Sequence, residues 1–362
     1  VLNAGALRLA DGNGESGPFA SAESRRLLRR AMLAFGLAMS WWTLISPIGS
    51  MIYFHRYLGD YTIFWTIAAA PLDFIYRYPQ FPYPPPSLIL VRPFGLLPFW
   101  PSLIAWCIAG SVAMLLAARR MIPVPAIALG FVTNAGVCVL IAGQTGLFMG
   151  ALVIAGLSAT DPRWRGAFLA AAAMIKPQTL LAAPVAMLVR RDWRGIAWAM
   201  LASLLIFLVS VALFGAELWP RWQDCVRRFP AVLAELHVDR LDVGLYGLAL
   251  RLGLPGWSYA LGIPVGLATT ALVFRGEAPV VDRYAAFACS TILLSPYTLN
   301  YDLAGVSLAA AAMLLDERRS PLLWLAAALV ISNALAAFGI LLMALQLARE
   351  AWHRGRAGDQ RS

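Results

Sequence analysis

Residues 121–160 read MIPVPAIALGFVTNAGVCVLIAGQTGLFMGALVIAGLSAT, forty positions without one charged side chain. An α-helix of about 20 apolar residues crosses the ~30 Å hydrocarbon core of a bilayer, so this stretch is twice the length of one crossing. Near its middle stands Gly143-Gln144-Thr145-Gly146, and glycines flanking short polar residues are a turn signal. The stretch therefore predicts two membrane segments joined by a tight turn on the outer side. Outward from it, uncharged windows recur at 31–54, 93–118, 195–216, 252–274, 284–301 and 320–348. Only 13% of the 362 residues are charged, against roughly 25% in soluble domains. No soluble interior could bury so much apolar surface, and so many windows exclude a merely anchored protein.

The net charge of +10 comes from arginines set in short clusters between the apolar runs. That placement signals topology and excludes a nucleic-acid-binding face. Arg25, Arg26, Arg29 and Arg30 precede the first window, and Arg119 with Arg120, Arg163 with Arg165, Arg190 to Arg194, and Arg318 with Arg319 punctuate later ones. The positive-inside rule puts all of these in the cytoplasm. The first 24 residues lack the basic start and short apolar core of a cleavable signal, and residues 1–30 read as a disordered cytoplasmic tail. Residues 31–348 read as the transmembrane domain and 349–362 as a polar tail. This organisation predicts a multi-pass protein of the bacterial inner membrane, in contact with membrane lipids. Cys107, Cys138 and Cys289 lie in apolar runs and Cys225 in an outer loop, so disulfides are not expected.

Between the windows, two outer loops hold the polar and aromatic residues. In the first, from His55 to about Ser87, the spacing of Ile63, Phe64 and Ile67 predicts an amphipathic helix over 60–70, ended by Pro71. Phe81-Pro82-Tyr83-Pro84-Pro85-Pro86 must be extended and stiff, and residues 88–98 dip back into the membrane. The second outer loop runs from Glu217 to about Val243. Residues 166–189 are divided by Lys176-Pro177-Gln178 into pieces too short to cross alone. They form either one helix kinked at Pro177 or a hairpin whose polar tip sits at membrane depth, which requires burial in protein or a wet cavity. Another polar break follows at Ser295 to Asp302. Together these features predict an all-α polytopic fold of ten to twelve membrane segments.

Lys176 is the one lysine beside 28 arginines. A cation within an apolar segment is costly and marks a substrate or ion pathway, although a lysine near a helix end can also snorkel to the surface. Replacing it by Met should remove a buried charge and leave the fold intact. Asp60, beside Tyr57, Tyr61 and Trp65, suits a general base, yet Asp before an apolar helix is equally a good N-cap. Asp73 reads as a solvated loop residue. Gln144 is placed to bond a substrate from its turn. Arg77 and Arg92 flank the proline-rich segment on the outer side, where arginine is disfavoured, and an anionic lipid or phosphate would rationalise them. Asp302 is either interfacial or inside a cavity. Walker loops, metalloprotease spacings and zinc-type cysteine pairs are missing.

These pieces resemble glycosyltransferase family 87 of the GT-C superfamily, where the polyprenyl-phosphate-mannose-dependent mannosyltransferases of mycobacterial phosphatidylinositol mannosides belong. The resemblance rests on Gly59-Asp60-Tyr61 with Trp65, Tyr83-Pro84-Pro85-Pro86 leading to Pro93 and Leu97-Pro98, Gly143-Gln144 with Gly146, Lys176-Pro177-Gln178, and Ser295-Pro296 with Tyr301-Asp302. It implies a GT-C-like bundle with short outer-loop helices, a periplasm-facing site, a polyprenyl-phosphate hexose donor, inversion at the anomeric carbon and no obligatory metal or cofactor. By the same resemblance Asp60 is the catalytic base. Lys176, with Arg77 or Arg92, would hold the donor phosphate. Tyr83, Gln144, Gln178, Tyr301 and Asp302 would touch sugar or acceptor, the acceptor being a glycan or glycolipid. A transporter or lipid flippase is the alternative, since a broken segment carrying a cation also builds midplane transport sites.

Overall fold

The computed structural model describes residues 21–45, 48–49, 59–77, 79–235 and 241–359. Of the expected tail 1–30, residues 1–20 lie outside them, as does the start of the first outer loop with Tyr57, whereas Ala22 to Arg30 are not an irregular tail but the first turns of a helix capped by Ser21. Among the described residues the fold is all α: α1 (Ala22–Trp42), α2 (Tyr61–Ala69), α3 (Ser87–Val91), α4 (Phe99–Ala118), α5 (Val124–Val132), α6 (Asn134–Ile141), α7 (Gly146–Ser158), α8 (Pro162–Ile175), α9 (Ala183–Val189), α10 (Trp193–Phe214), α11 (Leu218–Glu235), α12 (Leu245–Arg251), α13 (Gly262–Arg275), α14 (Val280–Leu294), α15 (Ala304–Leu315), α16 (Pro321–Ile331) and α17 (Ala336–Asp359). The chain is an all-α polytopic membrane protein.

The expected membrane segments are uneven in length. α4, α10 and the run Gly256–Arg275 are long and apolar enough to cross alone, and α5 with α6, bent by 67°, makes a fourth. That bend falls at Thr133, whose hydroxyl accepts from Gly136 N–H at 3.3 Å and so starts a new helix. Other apolar helices, α7, α15 and α16 among them, are shorter. The uncharged window 320–348 is two helices, α16 and α17, turned at Asn333 with φ +62°. α10 keeps only Gly195, Ser210 and Phe214 buried, so its sides face lipid. α15 is buried from Ala304 to Leu314 at all but one position, as a helix at the centre of a bundle must be.

Local chemistry sets the helix ends. Asp161 caps α8 by accepting from Arg163 N–H at 2.8 Å, and Pro162 follows at the first helical position, both favoured there. α8 stops at Lys176 (φ −144°, ψ 83°) because the residue before a proline is driven out of the helical region. The chain then returns through a 3₁₀ turn (Pro177–Leu180) and α9 to Asp192, which pairs with Arg165 at the foot of α8. That ion pair closes the base of a hairpin and decides between the two sequence readings: Lys176 is the tip, and the segment is not one kinked helix.

One end of the bundle gathers arginines. Arg29 meets Glu317 at 2.6 Å, Arg319 meets Asp282 at 2.5 Å, and Arg354 reaches Asp282 at 3.4 Å and Glu350 at 3.9 Å. α7, α8, α14 and α15 run from this end to the other, where their breaks bring Gln144, Lys176 and residues 295–302 together. Over that second end lies a separate aromatic core of Tyr61, Phe64, Tyr76, Phe81 and Trp106. The amphipathic α11 covers it, with Trp222 Nε1–H donating to Pro82 O at 3.0 Å and Arg228 to Tyr76 O at 3.0 Å.

Candidate active site

Asp60 owes its position to Tyr61. The Tyr61 N–H donates to Ala142 O at 2.9 Å and its hydroxyl bonds Ser102 Oγ at 2.6 Å, which docks α2 on the 143–146 turn. Gly143 has φ +63°, and a Cβ there would lie 2.5 Å from Tyr61 Cβ; both the backbone angle and the close approach require glycine. Asp60 itself has helical angles and makes no side-chain cap bond. Its Oδ2 instead accepts from Gln144 Nε2, while Gln144 Oε1 accepts from the Tyr83 hydroxyl at 3.3 Å. The Tyr301 hydroxyl lies beside the same carboxylate, and Lys176 and Asp302 act on it electrostatically.

Asp60 sits on the loop ahead of α2, outside the spanning helices. Burial raises its carboxyl above the ordinary carboxylate range, with the Gln144 bond and then the Lys176 charge acting in the opposite direction. Loss of water disfavours the charged form, whereas a donor and a cation favour it. The group is thus a carboxyl tuned upward but still supplied with partners for its anionic form.

Lys176 is 6% exposed. Its Nζ bonds Asp302 Oδ1 and lies 5.5 Å from the Tyr301 ring centroid, while Asp302 Oδ2 accepts from Leu299 N–H at 3.2 Å. A cavity of about 90 Å³ opens beside the pair, lined by Lys176, Gln178, Tyr297, Thr298 and Asp302 at its polar end and by α7, α14 and α15 elsewhere. Gln178 bonds the Tyr297 hydroxyl. Asp60, Tyr83 and Gln144 form the adjoining polar layer and are not part of the cavity wall.

Seven of the nine expected site residues therefore converge: Asp60, Tyr83, Gln144, Lys176, Gln178, Tyr301 and Asp302. Arg77 and Arg92 do not join them. Arg77 is exposed, paired with Asp73 at 3.4 Å and set over the Phe74 ring. Arg92 donates to Ala70 O at 3.1 Å, tying the short α3 region to the end of α2.

Sequence reasoning missed Asp242, Tyr297 and Thr298. Asp242 is 1% exposed. Its Oδ1 accepts from Gly244 N–H at 2.7 Å and Gly247 N–H at 3.0 Å, and its Oδ2 from Thr298 N–H at 2.8 Å, beside a Val243 N–H to Thr298 O bond of 2.9 Å. It pins the loop bearing Tyr297, Tyr301 and Asp302 to the start of α12. The available signal was Asp242-Val243-Gly244 ahead of an apolar helix, a pattern in which Asp bonds the backbone two residues on.

The model of the family described as Glycosyltransferase family 87 matches residues 81–296, more than half of the chain. The match takes in Tyr83, Gln144, Lys176 and Gln178, begins after Asp60 and stops just before Tyr301 and Asp302. No curated protein and no solved structure matches the chain.

Proposed function

The chain belongs to glycosyltransferase family 87, and from that premise we propose that it moves a hexose, with mannose the first candidate, from a polyprenyl-phosphate donor to a glycan or glycolipid acceptor. The observation that carries this reading is the unspent carboxylate of Asp60, which caps no helix and is held instead by Gln144 within a buried polar layer. The acceptor hydroxyl oxygen attacks the anomeric carbon as the bond from that carbon to the phosphate oxygen breaks. The hydroxyl proton passes to Asp60, and the electron pair leaves on the polyprenyl phosphate. Attack opposite the leaving group inverts the anomeric carbon.

Lys176 serves the leaving group. An ammonium has three donors, and Asp302 occupies one, so the others can meet phosphate oxygens in a site where fixed charge acts strongly. At about 90 Å³ the cavity holds only a few waters at ~30 Å³ each, so the donor widens it on entry. The 295–302 loop and the Tyr83 rim, both built from breaks in helices, are the elements that yield. Tyr83, Gln178 and Tyr301 then contact sugar or acceptor. The site faces the periplasm of a bacterial inner membrane in this reading, opposite the arginine end.

Incubating the purified protein with radiolabelled polyprenyl-phosphate mannose and a membrane glycolipid extract tests the proposal. Label should pass to acceptor with the native protein and not with Asp60→Asn. Movement of the donor across the bilayer without transfer would instead favour a transporter built on the re-entrant Lys176 hairpin.

A further inference from the structure

A second cavity, of about 210 Å³, lies at the arginine end of the same helices. The last turn of α7, the foot of α8, α9, the end of α13 and the start of α14 enclose it, and Phe287 forms part of the wall of both cavities. Its interior is apolar, with Leu169, Met187, Phe274 and Phe287. Its polar lining carries three guanidiniums, Arg165, Arg190 and Arg283, against one carboxylate, Asp192.

The three arginines are not equivalent. Arg165 is already committed: it pairs with Asp192 and donates to Ala159 O at 3.0 Å and Thr160 O at 3.2 Å. Arg283 has a buried Nε without a hydrogen-bond partner. It feels the positive charges of Arg190 and Arg165, with Glu277 as the opposing charge. Arg190 and Arg283 form no ion pair among the described residues. By contrast Arg29, Arg319 and Arg354, at the same end, each meet a carboxylate. Two like charges side by side at the edge of an apolar cavity, neither in a direct ion pair among the described residues, repel one another at a cost in free energy. An anion between them removes that cost.

We propose that this cavity binds a phospholipid of net negative charge from the leaflet on the arginine side, the phosphate between Arg190 and Arg283 and the first acyl carbons against Met187 and Phe274. Guanidiniums match phosphate oxygens in geometry and charge, and basic pockets between membrane helices on the cytoplasmic side are where acidic headgroups settle. The apolar interior selects a lipid over free phosphate, which offers nothing to bury there. The site is separate from the Asp60 and Lys176 layer, and its occupancy does not depend on the glycosyl-transfer reading.

The test uses the full-length protein in non-ionic detergent, with thermal unfolding followed as lipid is added. Phosphatidylglycerol should raise the unfolding temperature saturably, and phosphatidylcholine and inorganic phosphate should not at matched concentrations. Arg190→Gln with Arg283→Gln should raise the phosphatidylglycerol concentration needed by at least about tenfold, since hydrogen bonds to charged groups are the stronger class. Arg190 is exposed, so Arg190→Gln alone provides a variant that folds and should show part of the same loss. Arg191→Gln with Arg194→Gln removes equal charge from exposed neighbours outside the cavity and should change nothing. Equal protection by phosphatidylcholine, an equal loss in the Arg191 and Arg194 control, or protection by inorganic phosphate without phosphatidylglycerol would each overturn the proposal.

Discussion

Lys176→Met, Asp302→Asn and their combination form a double-mutant cycle whose outcome the ion pair fixes in sign. Considered alone, a buried lysine is a liability, and its replacement by Met should leave the fold intact. The structure reverses that expectation, because the substitution strands Asp302. Removing one partner of a fully buried pair costs about 3–5 kcal/mol. Asp302 retains the Leu299 N–H bond and its side chain is 20% exposed, which lowers the expected loss for Lys176→Met to about 2–3 kcal/mol. Asp302→Asn strands Lys176, whose side chain is 7% exposed, and should cost at least as much. The double variant buries neither charge and should recover most of the loss, giving a coupling of at least about 2 kcal/mol. Equilibrium unfolding in mixed micelles, read by tryptophan fluorescence, measures the three values. Transfer from a polyprenyl-phosphate donor supplies the functional half: the double variant should be stable yet slow, because the phosphate has lost its cation. Additive costs within about 0.5 kcal/mol would refute the energetic pairing, and a double variant with native turnover at low donor concentration would refute the phosphate role.

Asp60→Asn should lower turnover by at least about 100-fold, the lower range of general-base assistance, whereas Asp73→Asn, on the exposed Arg77 pair, should leave it unchanged; equal small effects would remove Asp60 as the base. Because the folded Asp60 pKa is raised, its contribution to stability is full below the unfolded value near ~3.9 and is lost as pH rises through the folded value. Asp60→Asn should therefore unfold at the same or a higher temperature than the native protein at neutral pH. For the same reason turnover should fall on acidification at a higher pH than an ordinary carboxylate would give, and an acid limb near ~4 would contradict the burial. Arg77→Gln should change neither stability nor donor KM, while Arg92→Gln should cost about 1 kcal/mol for the lost Ala70 bond with donor KM unchanged; a large KM rise in either would restore it to the phosphate site. In a cysteine-replaced background, Gln80→Cys should react with an impermeant maleimide in intact spheroplasts and Arg163→Cys should not, the reverse labelling being fatal to the proposed orientation.

Local signals carried the breaks and missed the pairings. The turn at 143–146 was legible because glycine at φ +63° announces itself. Lys176-Pro177 was legible as an interruption, but a kinked helix and a hairpin satisfy the same local rules, and only the Arg165 to Asp192 contact separates them. Whether Asp60 capped α2 was equally undecidable from its neighbours, because the competing partner, Gln144, is 84 positions away. Lys176 and Asp302 each stood out as charges at the edge of apolar runs, yet nothing in sequence joins residues 126 positions apart. The burial of Asp242 could not be read locally, since the backbone donors that enclose it are brought together by the fold. Arg77 and Arg92 were drawn into the site by a rule about which side of the membrane they occupy, and a side is not a position.

The lengths of the helices explain why a buried polar layer exists at all. α7, α8, α14 and α15 have 13, 14, 15 and 12 residues, so at 1.5 Å per residue they rise roughly 18–22 Å. The hydrocarbon core is about 30 Å thick. Helices that start together at the arginine face therefore end short of the opposite surface, and their terminal carbonyls, turns and side chains fall at membrane depth. Irregular backbone is tolerated there only when protein or a wet cavity encloses it. Here the proline-rich segment, α2 and the amphipathic α11 form the enclosing cap, while α10 packs along α8 and shields that flank. If the proposed transfer takes place there, a centre recessed by roughly 10 Å from that difference suits a donor that reaches it from the leaflet better than a soluble nucleotide sugar. In the proposed reading, the shortness of these four helices favours a lipid-borne donor before any side chain touches it.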